Sequence, residues 1–176
     1  MSAGRPRLLR YQVATSLDGF IAGPNGEYDW IASDESFDWD AFLSQFDTLL
    51  MGRKTYELAL SQGSVLKSMG KAVVVISTTL DPLQHPDARI VSTNVANAIA
   101  QLKRQPGKDI WLFGGGALFR TMLDAGLVDR VELAVSPILL GSGVPVLPPG
   151  RSCPLRLVES RTLPSGMLIL AYEVAQ

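Results

Sequence analysis

Apolar residues fall along this chain in two kinds of pattern. Val73-Val74-Val75-Ile76 and Ile110-Trp111-Leu112-Phe113 are short, uninterrupted and rich in β-branched or aromatic residues. Runs of that kind belong to strands covered on both faces, as in a parallel sheet. Residues 8–14 read as a further strand, and Thr48-Leu49-Leu50 as another strand-like run. Between these runs the spacing changes to that of a helix. Trp39, Phe42, Leu43 and Phe46 stand at i, i+3, i+4 and i+7, which predicts one apolar helical stripe through all four. Val95, Ala98, Ile99 and Leu102 repeat the spacing, with Asn94 placed to cap the start. Leu118, Met122 and Leu123 make a third stripe, and Gly126 suits the left-handed stop after it.

The last third reads as strands at 131–136, 155–160 and 167–174, with Ser165-Gly166 as a hairpin tip. No helical stripe separates the last two strands, so they are expected to be antiparallel. No repeat, low-complexity tract or linker divides the sequence. The predicted order is β–α–β–α–β–α–β followed by a hairpin. That is one α/β domain over residues 1–176, with a mostly parallel central sheet and an antiparallel C-terminal edge.

Composition narrows the chemistry. Lys and Arg number 16 and Asp and Glu 17, for a net charge of −1. A near-neutral chain has no global field to hold nucleic acid or an anionic membrane, so any anion site must be local. With one Cys, Cys153, and one His, His85, neither an intrachain disulfide nor a Cys/His zinc cage can be assembled, and no metal is expected. No apolar run approaches the roughly 20 residues of a membrane helix. The start lacks an apolar signal core, so a soluble, cytoplasmic protein is expected. No Gly-x-Ser-x-Gly elbow and no Cys–His motif is present. A bound cofactor that supplies the reactive atom fits better than a protein nucleophile.

Three loops could hold one, each just past a strand-like run, where ligands gather in open α/β sheets. Met51-Gly52-Arg53-Lys54-Thr55 is a glycine turn into a helix start, with free backbone N–H groups and two cations. It reads equally as a solvated basic helix start. Phe113-Gly114-Gly115-Gly116-Ala117-Leu118 places three glycines between a buried strand and a helix, allowing close approach of a flat or charged ligand. The bland reading is a tight turn with close helix packing. Neither Gly-x-Gly-x-x-Gly nor the P-loop pattern is present. Ser77-Thr78-Thr79 offers three hydroxyls for a sugar or phosphate, or an ordinary Ser/Thr turn.

The spacing of these loops resembles the dihydrofolate reductase superfamily. The match runs from Ala14 to Ile21, through Leu50-Met51-Gly52-Arg53-Lys54-Thr55-Tyr56-Glu57, to Ile110-Trp111-Leu112-Phe113-Gly114-Gly115-Gly116. Ser16-Leu17-Asp18-Gly19-Phe20-Ile21-Ala22 and Ser136-Pro137-Ile138-Leu139-Leu140-Gly141-Ser142-Gly143-Val144-Pro145 are similar to one branch of it, the C-terminal reductase domain of riboflavin-biosynthesis RibD proteins. Many members of that branch stand alone, without a deaminase domain, and the resemblance implies the same here. It implies a three-layer α/β/α fold of the dihydrofolate reductase kind, NADPH as cofactor, and a homodimer. Carried over by position, Arg53, Lys54 and Thr55, after Gly52, would meet the NADPH phosphates. Ser77 and Thr78 would lie by the adenosine ribose and its phosphate. Gly114, Gly115, Gly116, Ala117 and Leu118 would cradle the pyrophosphate and nicotinamide ribose. Ala14 and Ile21 would flank the nicotinamide. The resemblance also implies a cis peptide between Gly114 and Gly115.

Ala117 stands where many folate enzymes have a basic residue, so the 2′-phosphate would lean on Arg53, Lys54 and Thr78. Trp30, Glu35 and Trp39 are the substrate-side candidates. On a helix running back from Trp39, Glu35 would share the face of Trp39 and Phe42, where its carboxylate could hold a substrate amidine or amide. Alternatively Asp34, Ser36 or Asp38 simply caps that helix. No catalytic acid is assigned. The leading expectation is an NADPH-dependent reductase acting on a small heterocyclic, pterin- or pyrimidine-like, or carbonyl substrate. The alternatives are a true dihydrofolate reductase and a dinucleotide-binding protein without turnover.

Overall fold

The structure, a computed structural model, describes residues 5–63 and 65–175. Its elements are β1 (Leu9–Ser16), β2 (Phe20–Ala22), α1 (Trp39–Leu43), β3 (Phe46–Gly52), α2 (Arg53–Ser61), α3 (Val65–Ser68), β4 (Ala72–Ile76) and β5 (Ala88–Val91). They continue with α4 (Val95–Arg104), β6 (Asp109–Leu112), α5 (Gly116–Asp124), β7 (Arg130–Ser136), β8 (Val144–Pro145), β9 (Leu155–Thr162) and β10 (Leu168–Val174). The main sheet has the order β5-β4-β3-β6-β1-β7-β10-β9. β5 through β7 are mutually parallel, and β10 runs antiparallel to both its neighbours. This is the predicted mostly parallel sheet with an antiparallel C-terminal edge.

The uninterrupted apolar runs are explained by burial on two sides. Leu9, Tyr11, Leu50, Ile110 and Leu112 point to the face covered by α4 and α5, where they meet Ile99, Leu102 and Met122. Leu49, Met51, Val73, Val75 and Trp111 point to the other face, against Phe42 of α1, Tyr56 of α2 and Leu66 of α3. Fully burying one such side chain stabilises by about 1.5–3 kcal/mol, so β3, β4 and β6 are fixed from both sides. Three layers result. The α5 stop is a Schellman motif: Leu127 N donates to Met122 O and Gly126 N to Leu123 O, with Gly126 at φ +66°. Among the described residues no helix is long and apolar enough to cross a membrane.

Some expectations are corrected. The stripe from Trp39 does not continue to Phe46 as one helix. α1 ends at Leu43, and Phe46 opens β3. Phe42 and Phe46 still share one core, with ring centroids 5.1 Å apart, so the spacing reported a common destination rather than a common element. Asn94 precedes α4 but makes no capping bond, because it sits in the left-handed region at φ +48°. β5, β2 and β8 did not stand out in the pattern. β2 and β8 form a separate two-stranded ribbon. The Gly114–Gly115 peptide is not cis: the described chain holds no cis bond, and positive φ at both glycines, +138° and +95°, turns the chain instead.

Candidate functional site

β3 and β6 are neighbours in the sheet; β3 runs directly into α2, and β6 reaches α5 through Phe113, Gly114 and Gly115. α2 begins after Gly52 and α5 after Gly115, and neither helix has a side-chain cap at its N-terminus. Each therefore presents unpaired N–H groups and the positive end of its dipole. The two starts are adjacent: a Cβ built on Gly114 or Gly115 would lie 3.7 Å from the Thr55 side chain. The first turn of α2 carries Arg53 and Lys54 and no acidic residue. Cations at a helix N-terminus are disfavoured by its dipole, so the arrangement suits an anion placed between them. Arg53 donates to Glu57 at 3.2 Å in an exposed i,i+4 pair, worth only about 0.3–0.5 kcal/mol and readily given up.

The remaining cofactor-side candidates divide. Register pairs Gly52 with Ile76, so Ser77 and Thr78 continue β4 beside the α2 start. The buried Ser77 hydroxyl accepts from Thr79 N and Leu80 N, both at 3.1 Å, and is spent on its own turn, whereas Thr78 is exposed. Gly116 is buried against the 145–148 segment; a Cβ there would come within 2.8 Å of Pro145 O and 3.2 Å of Pro148 Cδ. Its glycine is required by packing. Ala117 is exposed and Leu118 is buried in the core. Ala14, near the end of β1, pairs with Ala134 and is partly buried, and Ile21 lies in the β2–β8 ribbon.

On the substrate side the sequence expectation fails for Glu35. Asp38 caps α1, accepting from Ala41 N at 2.8 Å, so the helix begins at Trp39 and Glu35 lies exposed in the preceding turn. Asp34 is engaged as well. It accepts from Ser36 N at 2.9 Å, from the Ser36 hydroxyl, and from Ser165 N at 3.0 Å. The bonds from Ser165 and Ser36 hold its carboxyl well below the usual carboxylate range. Trp30 donates its ring N–H to Glu27 O at 3.0 Å. Trp39 is 55% exposed.

Trp39 joins an aromatic wall that the sequence reading did not assemble. Phe37 and Trp39 meet at 4.7 Å, Phe42 and Trp111 at 5.0 Å, and Trp111 and Phe113 at 4.7 Å between centroids. The wall leads from the 37–39 turn to Phe113, next to the glycine loop. Period-2 spacing of Trp111 and Phe113 on one strand run was the available signal. A second feature missed was the support of the loop after β1. Asp18 accepts from the Ser16 hydroxyl at 2.6 Å, Leu140 N at 3.1 Å and Gly141 N at 2.7 Å. Those bonds, led by Ser16, lower its carboxyl to about 2. Leu17 N donates to Ile138 O, and Val146 N to Gly19 O. The 138–146 segment thus pins the 17–22 loop at its base.

Comparison with known proteins agrees with this geometry. Residues 7–169 match the model of the RibD C-terminal domain. The uncharacterized protein YyaP of Bacillus subtilis (strain 168) is 34% identical, over 96% of this chain and 95% of its own. A solved Shewanella sp. PV-4 structure, assigned by name to riboflavin biosynthesis, is 27% identical with a TM-score of 0.84, over 96% of this chain and 99% of that one. Dihydrofolate reductase from Enterococcus faecalis, solved with NADP(H), shares the fold at 15% identity and a TM-score of 0.71, covering 96% and 97%. With three layers, paired helix starts at adjacent strands and a family match over most of its length, the chain belongs to the RibD C-terminal domain family.

Proposed function

We propose that the chain, as one domain over residues 1–176, is an NADPH-dependent reductase of a small heterocyclic or carbonyl substrate. The observation that carries this reading is the pair of uncapped helix starts at Gly52 and Gly115, joined through Thr55. Together they offer backbone N–H groups, two cations and a hydroxyl to one extended, multiply charged ligand. The NADP(H) bound by the Enterococcus faecalis enzyme of the same fold supports the choice of dinucleotide. Arg53, Lys54 and Thr78 would hold the adenosine end, and Thr55 with the N–H groups of the two helix starts the pyrophosphate. Ala14 and Ile21 would border the nicotinamide. When bound, the cofactor supplies the hydride. The chain's own work is orientation and exclusion of water: the exposed Trp39 and the half-buried Phe37 and Phe113, at the two ends of the aromatic wall whose middle is core, offer faces to a flat substrate, and the pinned 17–22 loop closes the other side.

Neither Asp34 nor Glu35, the carboxylates of the turn before the wall, is offered to it among the described residues. Asp34 is held by Ser36 and Ser165, and Glu35 stands out in solvent. This favours a substrate bound by ring stacking over one bound through an amidine, and hence disfavours a true dihydrofolate reductase. The proton then comes from solvent. A homodimer in the cytoplasm completes the reading. The face of β10 and β9 carrying Leu168, Leu170, Tyr172 and Leu157 supplies its contact; Leu168 is 39% and Leu157 52% exposed.

Calorimetric titration of NADPH and NADH into the chain and its Arg53→Glu variant tests the site. The variant reverses a charge at the proposed 2′-phosphate, where a charge-assisted contact contributes roughly 1.5–3 kcal/mol. NADPH affinity should fall about 10- to 150-fold and NADH affinity far less. Equal losses would remove Arg53 from the 2′-phosphate. NADPH oxidation over a panel of pterins and pyrimidines then separates a reductase from a dinucleotide-binding protein without turnover.

A further inference from the structure

The end of the sheet opposite the glycine loops holds a second concentration of charge, independent of the reading above. Seven of the chain's 16 Lys and Arg line one cleft of about 770 Å³ at the N-terminal ends of β1, β6 and β7. Asp109 is the single acidic residue among those lining it. In a chain of net charge −1 this is a local field of the sign an anion needs.

Most of these cations are fixed by carboxylates. Arg10 donates to both Glu132 oxygens, at 2.9 and 2.8 Å, and Arg7 pairs with Asp47; both arginines are buried. Arg5 shares Asp109 with Arg10, Lys103 meets Asp129 at 2.6 Å and Arg130 meets Glu173 at 3.3 Å. The floor of the cleft is therefore rigid and largely neutralised. Its rim is not. Lys108 donates its ammonium to Ser44 O at 2.8 Å and meets no carboxylate among the described residues. The Arg104 side chain makes no hydrogen bond among them, and it is exposed. The Nε of Arg130 is buried with no acceptor among the described residues. The turn between Arg104 and Lys108 is seated tightly: Gly107 has φ +153°, and a Cβ there would come within 2.5 Å of Asp47 Oδ2.

We propose that this cleft is a second ligand site, for a small polyanion carrying two or more phosphate or carboxylate groups. Two rim cations without a carboxylate partner among the described residues, Arg104 and Lys108, standing over a rigid and largely neutralised floor, ask for several anionic oxygens on one molecule. A single-stranded nucleic acid is a poorer match, because among the described residues no Phe, Tyr or Trp lines the cleft to stack on a base.

Tripolyphosphate is the probe. It is titrated at low ionic strength into the full chain carrying Arg53→Glu, which weakens phosphate binding at the glycine-loop end. It is titrated again with Arg104→Gln and Lys108→Gln added. One equivalent should bind the first protein, and the added pair should weaken that binding at least tenfold. Arg104→Gln alone, which removes no hydrogen bond seen among the described residues, should weaken it about threefold and leave the thermal transition in place. Absence of binding to the Arg53→Glu chain, or undiminished affinity when both rim cations are gone, would overturn the assignment. In the chain with Arg53 intact, the paired rim substitutions should leave NADPH affinity unchanged; a matching loss there would also overturn it, by merging the two sites.

Discussion

Thr55 is the residue on which the two glycine-flanked helix starts converge. Its side chain lies 3.7 Å from where a Cβ on Gly114 or Gly115 would stand, and it makes no hydrogen bond among the described residues. A hydroxyl left free there is available to a bound phosphate. Thr55→Val keeps the volume and removes the hydroxyl. Its NADPH affinity should fall about tenfold, or roughly 1.4 kcal/mol, with the melting temperature little changed. Unaltered affinity by calorimetry would take Thr55 out of the site. The substitution is cleaner than Gly115→Ala: with φ at +95°, alanine at 115 would add backbone strain of order 1–3 kcal/mol and mix folding with binding. Residue identity in the sequence told of Gly114 and Gly115 because only glycine takes such angles readily. It did not set Gly116 apart from them, although close packing was the alternative reading of the loop, because the need there is set by Pro145 and Pro148 some 30 positions away in sequence. Glu35 failed for a related reason. Periodicity extends a helix until something stops it, and here the stop is a local competition won by the Asp38 cap.

At the scale of elements, strands buried on both faces were readable because their composition alone sets them apart. The β2–β8 ribbon was not, since three residues meeting two carry no period. Its support comes from Asp18, which reaches across to Leu140 N and Gly141 N. This anchor divides the Gly-, Pro- and Asn-rich segment from 18 to 30 in two. Residues 17–22 are pinned, so motion should concentrate in 23–33, where the described chain holds only turns. Hydrogen exchange should be slow across 17–22 without ligand and slow further across 23–33 when NADPH is added. Asp18→Asn should release the first segment. The same anchor makes a pH prediction. With its carboxyl lowered from 3.8 to about 2, Asp18 contributes its full stabilisation above about pH 4 and loses it as pH falls towards 2. Over that interval the exchange protection of 17–22 should decline in the wild type and stay flat in Asp18→Asn. Protection that is independent of both pH and the substitution would mean that the 138–146 backbone bonds suffice alone.

For the whole molecule, the sheet has a finished half and an unfinished one. From β4 through β3 to β6 both faces are covered by helices, and the strands carry uninterrupted apolar runs. Past β7 the pattern changes. β9 is exposed along its entire length, yet it carries Leu155, Leu157 and Val158 among charged residues. Register places Leu157 opposite Tyr172 and Leu155 opposite Val174, so the leucines extend the face of β10 that holds Leu168 and Leu170. An apolar strip of this kind at a sheet edge is a hazard for a monomer and an asset at a self-complementary contact. Strands were legible in both halves, but which faces are covered depends on where helices cross, and that is settled only by the fold. If the strip closes a homodimer, Leu157→Glu should place a charge in the contact on both subunits at once. Light scattering should then report a dimer for the wild type and a monomer for the variant. The variant should stay folded, because Leu157 is already 52% exposed within its own chain. NADPH affinity should be preserved, since the glycine-flanked helix starts lie on β3 and β6, with β1, β7 and β10 standing between β6 and the edge strand. A wild type that is monomeric at micromolar concentration would leave the strip without that partner, and the reductase reading would stand apart from it.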